Sequence, residues 1–302
     1  MRKTIFTLIF LGASLFAFDY KLQPKEIAKG VYMFTGVNEP VKKSNGGAIA
    51  NSYWVNTGKH WVVFDAGPTY DYSKQAHSAM KKIANLPIAL VFNSHFHDDH
   101  WMGDSYYKEL KVPIYATKTQ LKEFKEGGES RILKILDKND LKNTKIVKAD
   151  KVVDKNMTIK VDNSKFNVIK LPYPAHAPED FMVYLKDKGV LFTGDLLMSE
   201  RITSIRHGSV EGNLKAISLI EKINPKVYAN GHGKFTNKEG LKLTKAYLQK
   251  LKTTAKSAID NDIELEEYVK KANFDEFKKY KLFDVAHKEN LFSAYNEYEL
   301  AE

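Results

Sequence analysis

The sequence predicts an α/β protein in which two sheets pack face to face with helices on their outer sides, followed by a C-terminal helical extension. Three observations carry this. Short apolar runs and amphipathic stretches occur as strands then helices, and that order appears twice between residues 30 and 229, as expected of layers that each bury one face. Beyond residue 237 the apolar spacing is helical to the end. The chain has 302 residues, 43 % of them hydrophobic, which is enough for one large core with an appendage.

Residues 30–34, 52–55 and 60–64 are apolar and β-branched or aromatic, with Thr57-Gly58 as a turn before the third. Residues 71–86 have helical spacing through Ala76, Met80, Ile83 and Ala84, and Pro87 ends that helix. A buried strand at 88–92 leads into a histidine-rich motif, then a helix over 99–110, a strand at 113–116 and a charged surface helix over 119–136. A second strand-rich stretch comprises 152–153, 157–161, 166–171, 181–185 and 190–193, divided by Asp, Asn, Lys and Gly turns. A helix at 214–223 and a strand at 226–229 close it. In the extension, Leu243, Ala246, Tyr247, Leu251, Ile259 and Ile263 are spaced to bury one helical face, and packing on the sandwich is preferred to a dimer interface. The sequence carries no signal for an oligomeric state.

Residues 1–17 are expected to be a signal peptide: Arg2 and Lys3 precede an apolar stretch, and Ala17 offers a cleavage position. An uncleaved anchor is the alternative, because Leu15 is a mediocre residue ahead of that bond. The remainder, 18–236 as catalytic domain and 237–302 as extension, is expected to be exported to the periplasm without stable membrane insertion, since no other segment has the length of a span. There is no Cys, so no disulfide contributes to stability. The formal charge is +10, and the tail from Lys234 is neutral with 13 Lys against 13 acidic residues. The excess lies upstream, scattered through helices and loops without interleaved aromatics, so it describes a solvated face and no nucleic-acid partner is expected.

Chemistry concentrates in residues 94–100, Ser-His-Phe-His-Asp-Asp-His, directly after the 88–92 strand. Imidazole and carboxylate are the ligands a Cys-free protein can offer to Zn²⁺. Three further positions follow apolar runs: His176 in the 172–178 loop, Asp195 after Thr193-Gly194, and His232 between Gly231 and Gly233. Strand ends bring distant residues to one rim, and these glycines permit close backbone approach. If His95 and His97 continue the strand, its period of two puts both on one side, where His176 completes three nitrogen ligands. Asp99 and His100, on the turn into a helix, suit a second ion with His232. Asp195 is placed to bridge the two. His60, His77, His207 and His287 lack such partners and are read as structural or solvent-facing, with His207 a loop residue that at most reaches a substrate. Tyr173, Trp101 and Met102 are candidates for the pocket mouth, the last two more naturally as packing residues.

In order, Asp65 in Phe-Asp-Ala-Gly, the 95–100 cluster, His176, Asp195 in Thr-Gly-Asp and His232 make the chain resemble the metallo-β-lactamase superfamily over residues from about 30 to 235. The resemblance implies an αβ/βα four-layer sandwich with metals at the sheet rim, and a role for Asp65 in holding the metal loop. Subclasses that use a Cys ligand are excluded. Asp195 makes the site resemble the glyoxalase II, phosphodiesterase and lactonase branches more than the Cys-free β-lactamases, although the basic residues of glyoxalase II are not recognisable. Export signal, layout and the 290–299 ending look most like exported zinc hydrolases associated with quinoprotein relay and sulfur oxidation. Ala177 and Asp104 depart from the commoner Thr and Asn.

The expected function is zinc-dependent hydrolysis of an ester, thioester, lactone or related bond in a small-molecule substrate. Two Zn²⁺ ions would share a hydroxide, water's pKa being lowered to about 7 by the metal, with Asp99 orienting it and moving its proton. Alternatives are a mononuclear iron persulfide dioxygenase, a β-lactam hydrolase of the Cys-free subclass and a non-catalytic relay protein.

Overall fold

A computed structural model describes residues 18–125, 130–234 and 236–301; the signal-peptide reading of residues 1–17 lies outside them. The first sheet runs β1 (Lys25–Ala28), β2 (Val31–Phe34), β3 (Ser52–Asn56), β4 (Trp61–Phe64), β5 (Ile88–Phe92), β6 (Ile114–Ala116) and β7 (Lys151–Val152), in that order across the sheet. Pairing is antiparallel through β4 and parallel from there to β7. Parallel neighbours need long crossovers. These contain α1 (Tyr70–Ile83), then α2 (Asp98–Trp101) and α3 (Asp104–Glu109), then α4 (Lys118–Lys125) and α5 (Arg131–Ile135).

The second sheet begins as an antiparallel meander of β8 (Met157–Val161), β9 (Ser164–Lys170), β10 (Phe181–Leu185) and β11 (Val190–Met198). Helix α6 (Val210–Ile223) then returns the chain to β12 (Val227–His232), parallel to β11 at the sheet edge. Three helices follow: α7 (Lys238–Asp260), α8 (Leu265–Lys271) and α9 (Phe283–Glu299).

Strand alternation sorts the core into layers. Tyr53, Val55, Val62 and Phe64 of the first sheet meet Phe181, Val183, Val190 and Phe192 of the second in one cluster between the sheets. The intervening Trp54, Trp61 and Val63 face the opposite way, against α1 and α3, while Met182 and Leu191 face α6 and the C-terminal helices. Each of these large side chains contributes about 1.5–3 kcal/mol on full burial, so a one-residue register slip would forfeit a whole layer. The result is helix, sheet, sheet, helix. Among the described residues no helix is long and apolar enough to cross a membrane.

Several local expectations change. The strand expected at 152–153 in the second stretch is the edge of the first sheet, because β7 pairs with β6, although Val153 still enters the cluster between the sheets. The 99–110 helix is interrupted at Gly103, whose N–H donates to Gly67 O at 2.9 Å and where a side chain would meet Ser73 Oγ. The 119–136 helix is two helices, the second capped by Ser130, whose Oγ accepts from Leu133 N. Strand β1 was not expected. Of its four residues, Lys-Glu-Ile-Ala, Ile27 alone is a strong strand former.

Candidate metal centre

The histidine motif leaves the sheet at once. Strand β5 ends at Phe92, so His95 and His97 lie in a loop rather than on a strand as the spacing argument assumed. They converge because they present different ring nitrogens: His95 Nε2 lies 2.9 Å from His97 Nδ1, and His176 Nε2 lies 3.0 Å from the same atom. Asp195 likewise sits within β11, where the pairing with β12 is irregular on both sides of Gly194. Gly194 has φ +51°, and a side chain on Gly231 would collide with Asp195 Oδ1, so both glycines permit the approach expected of them.

The seven expected ligand residues meet as two groups, His95, His97, His176 and Asp195, and Asp99, His100 and His232, with the ligand atoms of each group within 4.8 Å of one another. Asp195 touches both. Its Oδ2 lies 3.3 Å from His176 Nε2 and 3.1 Å from His232 Nε2, and its Oδ1 lies 3.2 Å from His100 Nε2. Asp99 Oδ2 is 3.5 Å from His232 Nε2 and 3.7 Å from His100 Nε2.

Outer contacts orient the rings. Asp65, at φ +55°, accepts Ser94 N through Oδ1 (2.8 Å) and Ser94 Oγ through Oδ2 (3.1 Å), and Oδ2 also meets His100 Nδ1 at 2.8 Å. These contacts tie Asp65 to the segment that follows β5. His232 Nδ1 is 2.7 Å from Ile49 O, and Ser94 Oγ is 2.9 Å from His95 Nδ1. A proton on Nδ1 of His100 and His232 satisfies the carboxylate and carbonyl and leaves Nε2 as a lone pair facing inward. His97 Nε2 meets His207 Nδ1 at 2.9 Å, which corrects the reading of His207 as lacking a partner.

The donors fit divalent cations. His100 Nε2 and Asp195 Oδ1 are buried without hydrogen-bond geometry although they lie 3.2 Å apart. Three imidazole nitrogens crowd one point where His97 Nδ1 has one position, for a proton or a lone pair, toward two neighbours. Burial, and then the neighbouring rings, hold His95 and His97 well below the ordinary histidine pKa, so they are neutral with free lone pairs. Burial alone would lower His100, but Asp195, Asp65 and Asp99 outweigh it and raise it; a cation and a proton compete for that field. Burial would raise Asp195, but His232, His100 and His176 outweigh it and keep it ionised.

Two residues escaped sequence reasoning. Arg131, at the start of α5, donates through Nη2 to Asp99 Oδ1 (2.5 Å) and Asp98 Oδ1 (2.7 Å). Burial would raise Asp99, but Arg131, His100 and His232 hold it far below the usual carboxylate range. Gly127-Gly128 ahead of Ser130 was the available sign that a helix starts at Arg131. Arg201 also lines the cavity over the centre, a space of about 240 Å³. Trp101 and Met102 pack with Val41, Ile49 and Ile132. Tyr173 borders a different groove, and Lys215 Nζ lies 5.6 Å from its ring. Of the other histidines, His60 pairs with Asp162 at 3.0 Å, while His77 is buried beside Tyr106.

Comparison with known proteins agrees with this architecture. A beta-lactamase-like protein 2 homolog from Caenorhabditis elegans is 23 % identical over 194 residues, 62 % of this chain and 57 % of that protein. Metallo-beta-lactamase IND-1 from Chryseobacterium indologenes is 25 % identical over 175 residues, 57 % of this chain and 66 % of that one. The chain thus spans less than two thirds of the length of either. The metallo-beta-lactamase FIM-1 from Pseudomonas aeruginosa, solved in a mono-zinc form, superposes with a TM-score of 0.59 at 18 % identity, covering 76 % of this chain and 95 % of that one; it shares the fold. The family model described as the metallo-beta-lactamase superfamily matches residues 45–232, which span every candidate ligand. By that match, the chain belongs to the metallo-β-lactamase superfamily.

Proposed function

We propose that this protein is a metal-dependent hydrolase that holds two divalent ions, zinc in the first instance, and cleaves an ester, thioester, lactone or related bond in a small exported-compartment substrate. The observation that carries the reading is Asp195, one carboxylate in contact with ligand nitrogens of both groups. The chain's similarity to metallo-beta-lactamases, one of them solved in a mono-zinc form, supports it. His95, His97 and His176 would hold one ion, Asp99, His100 and His232 the other, and Asp195 both.

Bound divalent ions supply Lewis acidity, making water more acidic and drawing electron density from a carbonyl or phosphoryl oxygen. The chain's own residues do the rest. Asp65 and Ser94 fix the 94–100 segment, which carries four of the candidate ligands. Arg131 keeps Asp99 ionised and turned by one oxygen, so Asp99 is suited to accept a hydrogen bond from water and orient it, and poorly suited to keep a proton. The cavity is smaller than the roughly 300–1,000 Å³ usual for drug-sized ligands, which favours a compact substrate. Kinship with exported hydrolases of quinoprotein-relay and sulfur-oxidation systems belongs to this proposal and rests on the 290–299 ending and the N-terminal segment.

The test is metal analysis of protein purified without added ions, followed by assay of the zinc-loaded protein on thioesters, lactones, phosphodiesters and β-lactams. Two ions per chain and turnover of one class are expected, with both lost in His97→Ala. One iron per chain with oxygen consumption would replace this reading by the dioxygenase.

A further inference from the structure

His97 is turned the other way from its neighbours. Its Nδ1 faces His95 Nε2 at 2.9 Å and His176 Nε2 at 3.0 Å, whereas His95, His100, His176 and His232 all direct Nε2 toward the centre. The ring nitrogen left pointing outward carries the proton and needs an acceptor. His95 has Ser94 Oγ at 2.9 Å, and that hydroxyl donates its own proton to Asp65 Oδ2 (3.1 Å); His100 has Asp65 Oδ2 and His232 has Ile49 O. His176 Nδ1 is buried without one. For His97 the partner is His207, whose Nδ1 lies 2.9 Å from His97 Nε2.

The tautomer follows from the converging rings. A proton on His97 Nδ1 would sit where three candidate ligand nitrogens meet, and a cation cannot share that point. With the proton on Nε2 instead, His207 accepts it through an unprotonated Nδ1. His207 comes from a turn fastened to the other ligand loop: Gly208 N donates to Ile205 O (3.0 Å) and Ser209 N to Ala175 O (2.8 Å). A side chain on Gly208 would lie 1.9 Å from Ala175 O, so the turn rests directly on the backbone leading into His176. Phe96 packs on both rings, its centroid 4.6 Å from that of His97 and 5.4 Å from that of His207. His207 is itself exposed and does not line the cavity, so it meets His97 from outside and not from the substrate side.

We propose that His207 is a positioning residue for the metal centre: it accepts the Nε2 proton of His97 and thereby holds Nδ1 as a lone pair aimed at the ion that His95, His97, His176 and Asp195 would share. The inference rests on the metal-binding part of the reading above and not on hydrolysis. A ligand ring with such a partner is oriented in advance and made more basic, and losing the partner weakens metal binding about 10–100-fold. Because the partner is a surface side chain, it can be exchanged without opening the core.

The experiment is zinc binding to the metal-free full chain, by competition with a chromophoric chelator. His207→Phe keeps a ring without an acceptor, His207→Asn places an amide oxygen near the Nδ1 position, and His207→Asp places a carboxylate there. We expect His207→Phe to weaken one of the two stepwise zinc affinities about 10–100-fold, and the other far less, with melting of the metal-free protein unchanged. His207→Asn should regain most of the loss, and His207→Asp should bind at least as tightly as the wild type, a charged acceptor being the stronger. Nitrogen NMR of the histidine-labelled zinc protein should show His97 metallated at Nδ1 and protonated at Nε2, with that proton exchanging faster in His207→Phe. Unchanged affinity in His207→Phe, Asn and Asp variants as weak as Phe, or a wild-type His97 protonated at Nδ1 would each overturn the proposal. Should His207→Phe fail to fold, the Asn and Asp variants decide, and a loss of about tenfold or more in both would overturn it. A wild type that takes up no divalent ion would remove the metal reading and this inference with it. If the ions bind as expected and no substrate is turned over, the role of His207 stands and the hydrolase reading falls.

Discussion

Gly231 sets the tolerance of the centre at the scale of a single atom. A Cβ built there would lie 1.9 Å from Asp195 Oδ1 and 2.8 Å from the Gly194 carbonyl carbon, so Gly231→Ala must displace either the shared carboxylate or the backbone beneath it. Overpacking of this kind costs about 1–3 kcal/mol, and here the strain falls on one ligand. Gly231→Ala should lower the metal content to one ion per chain or less while the protein stays folded, as read by metal analysis beside a melting curve. The seven candidate ligand residues that the structure brings together, and Asp65 beside them, were legible in the sequence because imidazole and carboxylate declare their chemistry by type and order. Arg131, Arg201 and the His97–His207 contact were not. An arginine in a charged segment looks the same whether it points to water or to Asp99, and only the fold brings His207 beside a ring 110 residues away.

Two helix N-termini transmit the fold to the site. The first belongs to α5: Asp98 Oδ2 accepts Ser130 Oγ (2.8 Å) and Ile132 N (2.9 Å), while its Oδ1 takes Arg131. Asp98→Ala removes a cap and a charge partner together. The expected loss is about 2–3 kcal/mol, seen as a lower urea midpoint at unchanged slope. The second belongs to α6, where Glu297 of α9 accepts from Ser209 Oγ, Val210 N and Glu211 N at 2.6–3.0 Å. The same turn holds the loop before His176, through Ser209 N and Asn213 Nδ2 on Ala175 O. Glu297→Ala should therefore cost about 1–2 kcal/mol and weaken metal affinity at a site it does not touch; Glu297→Gln should lose less of both. Helical periodicity announced α6 and α9 but not this contact. Spacing shows which face is apolar, and says nothing of which distant carboxylate will serve as a cap.

For the molecule as a whole, buried histidines set the response to acid. Burial chiefly, with neighbouring positive charge, lowers His77, His207 and His287 to about 4, and His95 and His97 lie well below the ordinary value. A lowered folded value means that the unfolded chain takes up protons first, so stability is lost as pH falls from about 6.5 toward 4. His100 runs the opposite way, contributing stability at low pH that disappears as pH rises. The lowered histidines outnumber it. Melting of the metal-free protein should fall progressively from pH 7 to 4.5, and His287→Gln should flatten part of that slope. His287 has the simplest case: Tyr247 Oη accepts from Asn290 Nδ2 at 3.0 Å and meets His287 Nδ1 at 2.9 Å, where a second ring proton would stop the ring accepting the phenol proton. The layer architecture was legible from the order of strands and helices, whereas the placement of β7 was not, because two residues carry too little pattern to choose a sheet.

The last helix also braces the segments around the candidate centre. Asn290 binds Thr203 O and Ile205 N, holding the segment that carries Arg201 and His207, and Glu297 secures the turn beneath His176. The candidate ligands end at His232. A chain emerging from the ribosome has therefore displayed all of these candidate ligands some sixty residues before the groups that set their geometry arrive. Such long-range closure is the slow part of folding, so a C-terminally clipped chain should offer these residues to metal ions as a loose chelator, and the completed chain as a formed site.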